Sequence, residues 1–224
     1  MELSKEQLLQ IDNYIYGCGI KFHDVRAEIV DHFANILEKK LVKNSTIDFK
    51  KEIENIHSNF KDEGFKQLLK EKTKSVQKKF YKQSLQQVIT FLKPPKIIIT
   101  GVLFYVLFLL MNFVDDKEAF FSVLSFILIF LGFRLLFNVN MRNTKKDTFL
   151  VLNMTMYFFN GFYLSVMIFN FMTRNRNEES FLNPSYNAIE LILFMTLLLF
   201  YWSGEYVFYQ NKKLVKEQYP NVIL

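Results

Sequence analysis

The chain has 224 residues, half of them apolar, with 26 Phe, 11 Tyr and a formal net charge of +6. Charged residues make up 22%, normal for a soluble protein, but that average hides a split along the chain. The single cysteine, Cys18, excludes an internal disulfide.

Residues 1–93 carry 17 Lys/Arg and 13 Asp/Glu, a net of +4, whereas 97–206 are almost free of charge outside short loops. The pattern predicts a soluble segment followed by a membrane segment. The start, "MELSKEQLLQ", has neither a basic region nor an apolar core, so no signal peptide is expected and the N-terminal segment is expected to be cytoplasmic. "LSKEQLL" (3–9) reads as a helix start. Ser4 can cap, Gln7 stands three residues on, and Leu3 and Leu8 can form a hydrophobic staple. That helix should stop at "GCG" (17–19).

A second helix is expected over about 23–42 and opens with "DVRAEIVDHF" (24–33), which packs three carboxylates and a histidine into ten residues. At about 100° per residue, with Asp24 at 0°, Glu28 falls near 40° and Asp31 near 340°. Asn35 and Glu38 extend the stripe, while Val25, Ile29, Phe33 and Leu37 take the opposite half. The acids therefore lie where an amphipathic helix shows its polar face, and His32 sits at the edge. Arg26 falls inside the apolar sector, so it is expected to reach a carboxylate or a partner helix. That covers the helix on more than one side and makes Asp24, Glu28, Asp31 and His32 a candidate docking surface. Glu28 and His32 at i, i+4, with Asp24, could also begin a zinc site, but the helix supplies too few ligands, and no metal or cofactor is expected. Cys18, between two glycines, reads as a small turn residue and not as a nucleophile.

A third helix is expected from near Thr46, with Phe49, Ile53, Ile56 and Phe60 spaced three and four apart. After Gly64 a long helix over 65–92 should end at "KPPK" (93–96). At about 28 residues it spans roughly 42 Å, so it projects or lies along the membrane. "KEKTKSVQKKFYK" (70–82) holds six lysines. Of these, Lys74, Lys78, Lys79 and Lys82 are expected to meet anionic headgroups, worth about 1 kcal/mol each. No groove-reading motif accompanies them, so nucleic acid is not expected.

Four proline-free apolar stretches follow, at 97–114, 119–137, 149–171 and 188–208, each of the length that crosses about 30 Å of hydrocarbon as a helix. Loop lysines and arginines favour the first, third and fifth segments. Both termini are therefore expected in the cytoplasm, with Arg174 and Arg176 left on the outer side. Each span has one glycine, Gly101, Gly132, Gly161 or Gly204, where helices can approach closely. Arg134 and Glu205 should lie at matching depths and are expected to pair between spans two and four, with Asn153 able to join them. Glu190 opens the fourth span, where a helix N-terminus favours negative charge. Trp202 and nearby tyrosines fit an interfacial belt.

"GIKFHDVRAEIVDHFANILEKKL", "DFKKEI", "GFKQLLKEKTKSVQKKFYKQSL" and "LGFRLLFNVNMR" (131–142) resemble a family of integral membrane proteins from flavobacteria and their relatives. The resemblance implies four spans and assigns no chemistry. A small helical module before several spans is also similar in layout to Gram-positive signalling proteins. The expected fold class is therefore all-α. A cytoplasmic helical domain (1–93) precedes a four-helix transmembrane bundle (94–210) and a cytoplasmic tail (211–224), in a bacterial inner membrane. The expected function is a membrane-anchored interaction or regulatory protein, not an enzyme, that docks a protein partner or self-associates. The alternative is a transporter or channel component in which Arg134, Asn153 and Glu205 line a vestibule.

Overall fold

A computed structural model describes residues 2–43, 47–59, 64–140 and 148–220. The fold is all-α. The described residues form α1 (Lys5–Gly17), α2 (His23–Lys43), α3 (Phe49–Asn59), α4 (Gly64–Phe91), α5 (Lys96–Phe113), α6 (Lys117–Asn140), α7 (Leu150–Arg174), α8 (Glu178–Phe181) and α9 (Pro184–Gln218). Two compact units divide the chain. Among the described residues, one takes in those up to 78 together with 148–153, and the other 79–140 together with 154–220.

In the first unit α1 starts on the expected capping box, the Ser4 hydroxyl accepting from Gln7 N and the Gln7 side chain from Ser4 N. Glu38 on α2 accepts from Leu3 N at 3.1 Å, which fixes how the chain enters α1. Gly19, at φ +95°, turns the chain out of α1 in a conformation that other residues rarely adopt. The core joins Ile11 and Ile15 of α1, Val25, Ile29, Phe33 and Leu37 of α2, Ile53 and Ile56 of α3, and Phe65 of α4. Each such side chain contributes about 1.5–3 kcal/mol on burial. Asp48, whose Oδ1 accepts from Lys50 N and Lys51 N, caps α3. Thr46 and Phe60 lie outside the described residues, as do Arg142, Lys145 and Lys146.

In the second unit four helices are long and apolar enough to cross a membrane: Lys96–Phe113, Lys117–Phe137, Leu150–Arg174 and Pro184–Gln218. α9 runs past the expected end of the fourth span. Its 35 residues span roughly 52 Å, and Asn211 and Val215 are buried, so most of the expected tail continues the helix. The units divide inside α4 at Lys78 and Lys79, not at the prolines. The reason is tertiary: the Phe80 ring lies 5.8 Å from the Phe158 ring, and the Tyr81 hydroxyl donates to Tyr157 O at 3.3 Å, so the last turns of α4 pack on α7.

The four span glycines are not equivalent. A Cβ on Gly204 would overlap the Phe158 ring, and one on Gly132 would come to 3.2 Å from Phe159. One on Gly161 would lie 3.4 Å from the Tyr81 hydroxyl, and one on Gly101 would meet nothing within 4 Å. Close approach therefore requires glycine at 204, leaves little room at Gly132 and makes no demand on Gly101.

Candidate functional site

The chemistry-bearing residues of the first unit gather on α2. The chain reaches it through Lys21 and Phe22, which run beside Thr148 in an isolated parallel bridge. His23 N donates to Thr148 O at 2.8 Å and the Thr148 hydroxyl to Lys21 O at 3.1 Å, while the His23 ring stands 5.3 Å from that of Phe149. Asp24 follows. Its Oδ1 accepts from Leu150 N at 2.9 Å and its Oδ2 from Val151 N at 3.2 Å. These are two of the four amide donors that the start of α7 leaves without intrahelical acceptors. Asp24 is thus a side-chain cap supplied from 126 residues away, and its charge suits the positive end of the helix dipole. Within the expected docking set it is therefore the member whose oxygens accept from α7.

Arg26 behaves as its position demanded. It is buried, its Nε donates to Asp12 Oδ1 at 2.6 Å, and its guanidinium lies 5.3 Å from the centroid of the Tyr16 ring. Removing Asp12 would strand the buried guanidinium; breaking a fully buried pair costs about 3–5 kcal/mol, and the part-exposed Asp12 makes the cost here smaller. Arg26 therefore locks α2 to α1 and leaves the other face of α2 open.

That open face carries the rest of the stripe. Glu28, Asp31, His32 and Asn35 are exposed and, with Ile29 and Leu68, line a cavity of about 300 Å³ between α2 and α4. Lys72 on α4 pairs with Glu28 at 2.6 Å across its rim, and Asn35 donates to Asp31 O at 2.9 Å. The groove offers two carboxylates, an imidazole and an amide over an aliphatic floor, which suits a basic or amide-bearing side chain. Among the described residues no group of three His, Cys, Asp or Glu could hold a metal ion. Near the other end of α1, Tyr14 Oη and His57 Nδ1 are 2.7 Å apart, and Cys18 Sγ lies 3.9 Å from the same nitrogen. Partial burial raises the Cys18 thiol, and burial with the neighbouring Cys18 charge raises the Tyr14 phenol.

Lys74, Lys78, Lys79 and Lys82 are all exposed. Counted from Lys74 they occupy an arc of about 140° on α4, while buried Phe80 and Ser84 fall near 240° and 280°. α4 therefore has one apolar edge turned to α7 and a lysine face turned outward.

In the second unit Arg134 Nη2 donates to Glu205 Oε1 at 2.7 Å. Glu205 is mostly covered and Arg134 half-exposed, so the pair neutralises a charge that neither span could carry cheaply alone. Asn153 belongs to the other unit and is described with it; its backbone N donates to Phe149 O.

A second polar cluster was not legible in the sequence. Glu190 is buried and does not stand as a lone charge at the head of α9. It pairs with Arg176 and accepts from the Thr173 hydroxyl. Arg176 Nη2 also donates to Asn187 Oδ1 at 2.7 Å and Ser180 O at 2.6 Å, and its guanidinium lies 4.1 Å from the Phe181 ring centroid. The charge of Arg176 is thus consumed in clamping the α7–α9 connection. The only signal was an Arg and a Glu 14 residues apart astride a short polar turn, too common a pattern to single out.

No protein-family model, curated protein or solved structure matches the chain.

Proposed function

We propose that the chain is a multi-pass inner-membrane protein with both termini in the cytoplasm, whose N-terminal helical module docks a protein partner in the α2–α4 groove. It acts as an interaction or regulatory protein, without a cofactor or catalytic centre. The observation that carries this reading is the double use of α2. Asp24, in its first turn, holds the first turn of α7, a helix apolar enough to span; Glu28, Asp31, His32 and Asn35, one to three turns on, line an open groove. A partner that engages the groove thus acts on the same helix that caps α7.

The rim pair favours exchange. Glu28 is exposed and Lys72 partly so, and such surface pairs contribute about 0–1 kcal/mol, so an incoming cation displaces Lys72 at little cost. The lysine face of α4 holds the module against anionic headgroups. The distribution of Lys and Arg among the loops supports the orientation. The resemblance to four-span flavobacterial proteins agrees with the layout.

The test is photo-crosslinking in living cells from a probe at position 32 or 35. One discrete protein adduct is expected from these positions and none from exposed position 51 on α3. Equal adducts from all three positions, or none from 32 and 35, would refute groove docking.

A further inference from the structure

α7 and α9 leave a groove along their shared outer face. Near the α7–α9 connection a cavity of about 330 Å³ is walled by Phe169, Met172 and Leu193 and rimmed by Asn175, Asn177 and Tyr186. A second, of about 230 Å³, shares the three wall residues and continues past Ile168 to Leu197. The two are therefore successive parts of one channel, polar at one end and mostly apolar along the rest, where Ser165 and Thr196 spend their hydroxyl protons on Gly161 O and Ile192 O.

Its length is informative. On α7 it runs from Ser165 to Asn175, about 15 Å at 1.5 Å per residue. That is half of the roughly 30 Å hydrocarbon core, the depth of a single leaflet. The polar end carries both signs of charge. The Arg176–Glu190 pair lines it and cancels internally, beside the neutral polar side chains of Asn175, Asn177, Ser180 and Tyr186. The Asn175 amide nitrogen donates to Phe171 O, which leaves its carbonyl oxygen as an acceptor at the rim.

We propose that this groove binds one phospholipid, with an acyl chain along Phe169, Met172 and Leu193 and a zwitterionic headgroup at the turn of Asn175, Arg176 and Asn177. A rim whose one cation and one anion are paired with each other suits a head with a phosphate and an ammonium, whereas a purely anionic head would meet no unpaired cation among the lining residues. The one-leaflet length matches an acyl chain anchored at the surface. A second copy of the chain would not need a polar end. The inference rests on α7 and α9 being membrane spans, which is checked separately by whether the protein leaves the membrane only with detergent.

The test is native mass spectrometry of the full chain in mild detergent, after graded delipidation and re-exposure to vesicles with equal phosphatidylethanolamine and phosphatidylglycerol. Three variants accompany the wild type: the groove-filling Met172→Trp with Leu193→Trp, Ile168→Trp alone at the deep end, and Ile98→Trp on the lipid face of α5. All four substituted side chains are at least a third exposed, so none belongs to the core. The expected result is one phosphatidylethanolamine per chain in the wild type and Ile98→Trp, reduced at least fivefold in both groove variants. Equal retention in all variants, no lipid in the wild type, or preferential retention of phosphatidylglycerol would overturn the proposal. A dimer lost in the groove variants, with no lipid retained, would replace it with self-association.

Discussion

Asp24 shows how much one side chain's role depends on what faces it. By periodicity it belongs with Glu28 and Asp31, yet its carboxylate serves Leu150 N and Val151 N while Glu28 and Asp31 remain on the open face. Losing a capping side chain costs about 0.5–2 kcal/mol. Asp24→Ala should therefore speed amide hydrogen exchange at Leu150 and Val151 by roughly 2- to 30-fold and leave the Arg26–Asp12 region unchanged. Uniform acceleration across the first unit would mean that Asp24 supports the fold generally and does not cap α7 specifically. No helical wheel could have separated Asp24 from its neighbours, because the amides it serves lie 126 residues away. Arg26 was legible for the opposite reason. A cation inside an apolar sector must be compensated, and Asp12 lies within reach on the preceding helix.

At the scale of elements, the helices and their limits follow from local chemistry that the chain displays openly: the Ser4–Gln7 box, Gly19, the prolines after α4 and four long apolar runs. What stayed hidden was which glycines matter, because that depends on the neighbouring helix. Gly204→Ala drives a methyl into the Phe158 ring, and overpacking of this kind costs typically about 1–3 kcal/mol. Gly101→Ala meets open space and should be neutral. Thermal unfolding in detergent should therefore show a lowered midpoint for the first and none for the second; the reverse order would contradict the α7–α9 packing. The Arg134–Glu205 pair belongs to the same scale. Reversing either charge alone sets two like charges facing each other where the native pair lies 2.7 Å apart. Either single reversal should cut the yield of folded protein severalfold, and the double reversal Arg134→Glu with Glu205→Arg should restore most of it. Failure of that rescue would show that the two residues act separately. The Arg176–Glu190 clamp went unread because a short turn brings its members together with Asn187 and Thr173, and turn geometry leaves little trace in hydropathy.

For the whole molecule, the split in charge and hydropathy foretold a helical module joined to candidate spans, but not where the chain divides. The compact units part inside α4 and inside α7, because Phe80 and Tyr81 pack on α7 and because residues 148–151 are held by 21–24. Both depend on contacts between segments far apart in sequence. The central claim is that α2 is a docking helix whose capping end and open groove have separate duties. The measurement that tests it most directly is gentle-detergent purification of the full-length protein from its own cells, with quantitative mass spectrometry of the retained proteins, for wild type and for Glu28→Lys with Asp31→Lys. Both substituted residues are exposed, so the double variant should fold and insert normally. The account predicts a specific protein retained by the wild type and depleted at least tenfold in the variant. An unchanged set of retained proteins would contradict it and return the stripe on α2 to a solvated helix face.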